Sequence, residues 1–219
     1  MESIMVFLEY VWQTRHTIGL LTWQHAWMSL AGVVLGTLTA VPLGIFISRR
    51  PVLSSYVIDI AGMLYTIPSL ALLGFLLPFL GLGKVPTIVA LVIYSWLPVL
   101  RNTTAGIVNV DPAVKEAAIG MGATPRQLLF RVELPLAFPV IMAGIRTVAV
   151  MTVGITTMGA LVGARGLGEL IFTGISMMNN NITLAGTIPV ALMAVVLDQV
   201  LGVVERRIQN AVGLKEQVH

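Results

Sequence analysis

The sequence contains no cysteine, which excludes disulfides and thiolate metal sites. Charge is scarce as well. Only 11% of the 219 residues are charged, where a soluble domain carries about 25%. The net charge of +3 is orientation charge for a membrane, not the footprint of a nucleic-acid binder. No G-x-x-x-x-G-K-[ST] run occurs. Gly83-Lys84 comes nearest, and Val85 follows it, so the chain does not bind ATP through a P-loop. Residues 1–24 lack a basic n-region, having Glu2 and Glu9 there, and no small-residue cleavage site follows. Histidines are three, His16, His25 and His219, all towards the chain ends. Intramembrane Arg146 and Asp198 have no evident catalytic company. No catalytic or metal-ligating residue is therefore assigned, and a membrane-embedded enzyme is disfavoured.

What the chain has is apolar length. It is 57% hydrophobic, with a mean hydropathy of +0.92. No water-soluble fold of this size hides so much apolar surface, so the expectation is an all-α polytopic membrane protein. Five spans of roughly 20 residues can be drawn. They lie near Ala26–Ile47, Ile60–Leu80, Thr87–Val108, Phe138–Leu161 and Ile182–Val204. Residues 1–25 mix Phe7, Tyr10, Trp12 and Trp23 with Arg15, which suits an external or interfacial segment. Residues 26–208 form the membrane domain, and 209–219 a short polar tail.

Three local features stand out. Gly32 and Gly36 make a small-xxx-small pair, a candidate helix-packing face. Pro68, in Tyr65–Ser69, implies a kink or break in the second span. Breaks at membrane depth are tolerated where backbone is buried in protein or faces a water-filled cavity. Tyr65, Pro68 and Trp96 are therefore candidate path residues. Arg146 lies inside the fourth span and must face protein, water or the near interface; structural pairing or snorkelling is preferred to a substrate role.

The longest stretch unlike membrane is 111–135, DPAVKEAAIGMGATPRQLLFRVELP. Asp111-Pro112 and Thr124-Pro125 each place an N-cap before a proline at the first helical position. Gly120 and Gly122 can end the first helix with positive φ, and Pro135 is expected to stop the second. Two short helices around a glycine turn result. Val114, Ala117, Ala118 and Met121 share one face of the first. With five spans the termini lie on opposite sides. Arg49, Arg50, Lys115, Arg126, Arg131, Arg206, Arg207 and Lys215 then face one side, and Arg15, Lys84 and Arg165 the other. The positive-inside rule puts 111–135 in the cytoplasm, the N-terminus outside and the C-terminus inside. On these grounds alone, a bundle cap and a docking element remain open for this insert.

The insert resembles the cytoplasmic signature of ABC importer permeases. That signature is EAA, a glycine four residues on, then nine residues and I-x-L-P. Glu116, Ala117, Ala118, Gly122 and Val132-Glu133-Leu134-Pro135 stand at that spacing, with Val132 in place of isoleucine. The chain as a whole is similar to the short, five-helix members, which implies the type I importer fold of methionine permeases. In the 163–168 stretch the family commonly has glycine where this chain has Arg165. Tyr65–Leu73, Tyr94–Ile107 and Gly120–Arg131 resemble permeases for osmoprotectants: glycine betaine, carnitine and choline. The resemblance implies ATPase coupling through Glu116, Ala117, Ala118, Gly122, Leu134 and Pro135. It also implies a cytoplasmic ATPase dimer that binds ATP-Mg, an external solute-binding protein, and a second permease, identical or related. This chain itself then needs no cofactor and binds no nucleic acid. The competing readings are a permease for an amino acid such as methionine or another organic solute, and a stand-alone osmotic channel.

Overall fold

The computed structural model describes residues 2–211, with side chains from 5 to 208. The tail expected at 209–219, with Lys215 and His219, falls outside the described side chains. Every described element is helical. α1 spans Glu2–Ser48 and α2 spans Pro51–Thr66, followed by α3 (Ser69–Leu80) and α4 (Lys84–Val108). Two short helices, α5 (Pro112–Gly120) and α6 (Pro125–Leu128), precede α7 (Leu134–Thr156). A short α8 (Gly168–Ser176) and a long α9 (Asn180–Ala211) complete the chain. Among the described residues four helices are long and apolar enough to cross a membrane, and the bent pair α2–α3 reaches that length and hydropathy only when taken together.

α4 is the centre of the bundle, with α1 on one side and α7 on the other. Small residues set the first contact. A Cβ added at Gly32, Gly36 or Gly44 would collide with Leu91, Ser95 or Thr103 of α4. Ala40, fully buried, continues the same four-residue spacing. The GVVLG pair is thus half of a longer small-residue stripe, and α1 and α4 run parallel along it. On the other side Gly144 admits Asn102 and the Pro98 carbonyl, and Gly106 admits Ala137, so α7 runs antiparallel to α4. Without side chains to separate them, the backbones approach closely enough for dispersion to hold them where lipid offers no hydrophobic drive. Val99, Leu100, Ile47 and Val148 fill the remaining core.

No helix break marks the boundary drawn at residues 25 and 26; α1 is one helix of 47 residues, about 70 Å long. Its packing does change nearby. Among the described side chains the first buried one is Leu21, and nothing between Met5 and Leu20 is buried. His25 is fully buried, its Nε2 at 2.9 Å from the Val153 carbonyl of α7, so it belongs to the packed bundle.

The second span begins at Pro51, earlier than Ile60, and is broken as Pro68 implied. α2 and α3 meet at 97°. A proline has no N–H for the helix ladder and biases the residue before it to extended backbone; Ile67 has ψ 127°. A turn at Gly81 and Gly83, both with positive φ, leads into α4. The Gly83 N–H donates to the Val162 carbonyl at 2.8 Å, joining that turn to the far end of the fourth span.

One expectation is overturned. Pro135 does not stop a second short helix. α6 continues through a π-helical turn at Leu129–Glu133 into α7, and then through a 3-10 turn at Thr157–Val162. Pro125–Val162 is one helical run of 38 residues. Pro135 lies in the first turn of α7, where a missing N–H and a fixed φ are tolerated.

Candidate functional site

The 111–135 insert lies at the end of the bundle where α1 and α4 finish. Its local chemistry follows the capping logic. The Asp111 carboxylate accepts from the Ala113 N–H at 2.8 Å, with Pro112 next in line. Thr124 and Gln127 form a reciprocal capping box at 3.3 and 2.8 Å. Between the helices, the Gly122 N–H donates to Ile119 at 2.9 Å and the Ala123 N–H to Ala118 at 3.1 Å. These are the two bonds of a Schellman motif, whose pivot needs left-handed backbone. Gly122 supplies it with φ +83°. Gly120 has no positive φ and ends α5 as an ordinary helical residue.

Two side chains fasten this unit to the membrane helices. The Lys115 ammonium donates to the carbonyls of Ile107 and Val108 at 3.1 and 3.3 Å. It thereby satisfies orphan carbonyls at the C-terminus of α4, where a cation also suits the helix dipole. Glu133, in the π-helical turn, is 1% exposed and ion-paired with Arg49, the residue after α1. Neither tie was assigned from the sequence. In the sequence Arg49 counted only among the basic residues of one side, and its partner lies 84 residues away.

The expected coupling residues divide by exposure. Glu116, Ala117 and Gly122 are exposed, and Ala118 is buried. Leu134 and Pro135 are half-buried at the root of α7. Val114 and Met121 remain exposed on the predicted stripe, joined by Ile119 and Phe130. α5 thus presents Glu116 on one side and the exposed Val114 and Met121 on another, beside two capped helix starts.

The candidate path residues are not brought together as one group. Tyr65 meets Tyr94 edge to face, with ring centroids 5.9 Å apart, and its hydroxyl donates to the Met151 sulfur at 3.2 Å. The Tyr94 hydroxyl donates to the Ile67 carbonyl at the break. That bond satisfies a carbonyl that the extended backbone of Ile67 takes out of the helix ladder. Trp96 turns the other way, its indole N–H donating to Thr39 of α1 at 3.0 Å. Pro68 itself is exposed.

Arg146 is paired, as expected. It donates to Asp198 at 2.9 and 3.1 Å and to Glu205 at 2.9 Å, both on α9. Gly202, between those carboxylates, leaves room for the guanidinium. Asp198 and Glu205 are seven residues apart on one helical face. That spacing was visible in the sequence, but nothing local named their partner. Arg165 takes φ +64°, a left-handed backbone that glycine would adopt without steric cost.

A bundle of four to five spans with a capped, exposed short helix and turn leading into a long membrane helix at one end is the architecture of a type I ABC importer permease. The solved structures agree. A chain of the inward-facing MetNI methionine ABC transporter superposes with a TM-score of 0.78 at 23% identity, over 85% of this chain and 94% of that one. An amino acid ABC transporter crystallised with histidines gives 0.70 at 21% identity, over 92% and 98%. The chain belongs to the family of binding-protein-dependent transport system inner membrane components, whose model matches residues 32–210. Among curated relatives, the carnitine transport permease of Listeria monocytogenes is 43% identical, over 95% of this chain and 94% of its own. The choline transport permease of Bacillus subtilis is 45% identical, over 87% and 88%. The osmoprotectant import permease of Salmonella typhimurium is 39% identical, over 89% and 93%. This is a multi-pass membrane protein, a permease subunit of an ABC transporter.

Proposed function

We propose that this chain forms the membrane path of an ATP-driven importer for osmoprotectant quaternary amines: glycine betaine, carnitine and choline. The observation that carries the reading is the identity of 43–46%, over most of each chain, with permeases named for those solutes. The protein is a translocation subunit, not an enzyme. ATP-Mg is bound and hydrolysed by a cytoplasmic ATPase dimer, and an extracytoplasmic binding protein delivers the solute. A second permease, identical or related, completes the path in the plasma membrane. The N-terminus is outside, the C-terminus and the 111–135 unit inside, and residues 26–208 are the transport domain.

In this reading the exposed surface around Glu116, Ala117 and Gly122 seats in a groove of the ATPase. Ala118 lets α5 lie close to its base, and Leu134 and Pro135 root the unit in α7. Closure of the ATPase dimer on ATP draws two such units together, and the bundle rocks from inward- to outward-open. The Lys115 and Glu133 ties support this, because a lever must be rigid at its mount. Tyr65, Pro68 and Trp96 are proposed to border the path as parts of its wall. Quaternary ammonium recognition by aromatic faces is assigned to the binding protein.

Two measurements test this. Proteoliposomes holding the complete transporter should accumulate radiolabelled betaine, carnitine or choline only with ATP and the binding protein. Methionine uptake instead, or flux without the ATPase, would overturn the assignment. Glu116→Lys and Gly122→Asp variants that still insert should lose solute-stimulated ATPase; normal coupling in both would sink the docking role.

A further inference from the structure

We propose that Asp59 and Arg101 form reciprocal ion pairs with a second copy of this chain, across the half of the transport path nearest the coupling unit. Within the spans, Arg146 is answered by Asp198 and Glu205. Asp59 and Arg101 are left over. Both are exposed, and neither has an ion pair among the described residues. The Asp59 carboxylate accepts from the Ser55 hydroxyl of its own helix at 3.3 Å, and no cation faces it.

The two charges stand at one depth. Tyr65 meets Tyr94, Gly62 lies beside Leu97, and Ile58 and Arg101 line one hollow of about 420 Å³. α2 and α4 are therefore antiparallel, in a register that puts Asp59 level with Arg101. Each lies about 10–12 Å from the coupling end of its helix at ordinary rise. They do not face each other. α2 packs on the core through Val57, Ile58, Ala61 and Tyr65. Asp59 is on its other face, among the exposed Tyr56, Ile60 and Met63. Arg101 shares an exposed face of α4 with Ala105, whose small side chain leaves the guanidinium open to a neighbour.

A lone charge at this depth calls for a partner. Lipid tails supply none, and a headgroup drawn inward would have to answer an acid and a base on two different faces. A passing solute leaves both charges bare when it has gone. A second copy answers both at once, because a twofold contact sets one residue against another and repeats the contact in reverse. This chain's Asp59 meets the partner's Arg101, and its Arg101 meets the partner's Asp59. Tyr56, Ile60 and Met63 give the contact an apolar margin. The pairs form as the two coupling units are drawn together, closing the near mouth of the path, and part as the units separate. The assignment rests on the proposed reading that a second permease completes the path, and makes that permease an identical one.

The chain has no cysteine, so introduced thiols report single contacts. In membranes holding the complete transporter, two differently tagged copies, one with Asp59→Cys and the other with Arg101→Cys, should be joined by a short bifunctional thiol reagent. The yield should rise with a non-hydrolysable ATP analogue. Asp59→Arg or Arg101→Asp alone should cut uptake at least about tenfold, since each opposes like charges. Co-expressed, these two variants restore both pairs between unlike copies. They should recover about half of wild-type uptake, the share of mixed dimers under random pairing. A pair within one chain is broken in both variants, so failure to recover overturns the proposal. So does the absence of a cross-link between the tagged copies, or a cross-link indifferent to nucleotide. The cross-link is read without solute, so a wild-type transporter that lacks ATP-dependent uptake counts against the importer reading and not against the pair.

Discussion

Gly122 and Arg165 occupy the same left-handed region of backbone, at φ +83° and +64°, and they make opposite cases. Left-handed backbone costs a residue with a Cβ about 1–2 kcal/mol. At Gly122 the cost is avoided, and the Schellman turn holds α5 and α6 at a fixed angle. Gly122→Ala should therefore impair ATPase coupling, while Gly120→Ala, in ordinary helical backbone, should leave it intact. Equal loss in both variants would argue that the turn's conformation is irrelevant. Arg165 bears the strain itself. Arg165→Gly should raise thermal stability by up to about 1 kcal/mol, read as an unfolding midpoint in detergent; a lower midpoint would contradict this. The sequence marked Gly120 and Gly122 alike as helix enders. It could not choose between them, because propensity describes what a glycine permits and only packing decides where the chain turns.

Between elements, the structure is held by a few long-range side-chain bonds. Tyr94 carries the break between α2 and α3, since its hydroxyl satisfies the Ile67 carbonyl. Tyr94→Phe keeps the ring but orphans that carbonyl, and a loss of about 1–3 kcal/mol is expected. Unchanged unfolding in Tyr94→Phe would show that the carbonyl finds another donor. Arg49 and Glu133 tie α1 to the π-helical turn. Arg49→Met leaves a buried carboxylate unpaired, whereas Arg49→Met with Glu133→Met removes the charge along with its partner. The double variant should be more stable than Arg49→Met alone, and a strictly additive cycle would deny the interaction. Capping made the starts of α5 and α6 legible, because Asp111-Pro112 and Thr124-Pro125 act over two or three residues. The fusion of α6 with α7 was not legible. Proline suits both the position just past a helix and the first turn of one, so Pro135 reads as a stop or a start with equal ease.

For the whole molecule, hydropathy alone located the four long apolar helices and the apolar stretch of the bent pair α2–α3. The lateral arrangement needed three dimensions. Arg146, Asp198 and Glu205 join α7 to α9 through residues 52 and 59 positions apart. A charge at membrane depth implies a partner, yet the chain does not say which. Exchanging the signs of the first pair, as Arg146→Asp with Asp198→Arg, should restore assembly better than either change alone. Equal expression of the two single variants and the double would show the pair to be dispensable.

The unbroken helical run from Pro125 to Val162 has a further bearing on timing. A lever joined to its span by a loop would lose part of each stroke to bending. Here the capped start at Thr124 and the far rim at Val162 belong to the same rod, about 57 Å long at ordinary helical rise. The rim end is bonded to Gly83. If the 111–135 unit is the ATPase-coupling element proposed above, a displacement there is delivered to the opposite end of the rod in the same stroke, with the π-helical turn held by the Arg49–Glu133 pair. In the proposed cycle, one rod reaching both ends of the bundle links the two mouths, so that closing one opens the other.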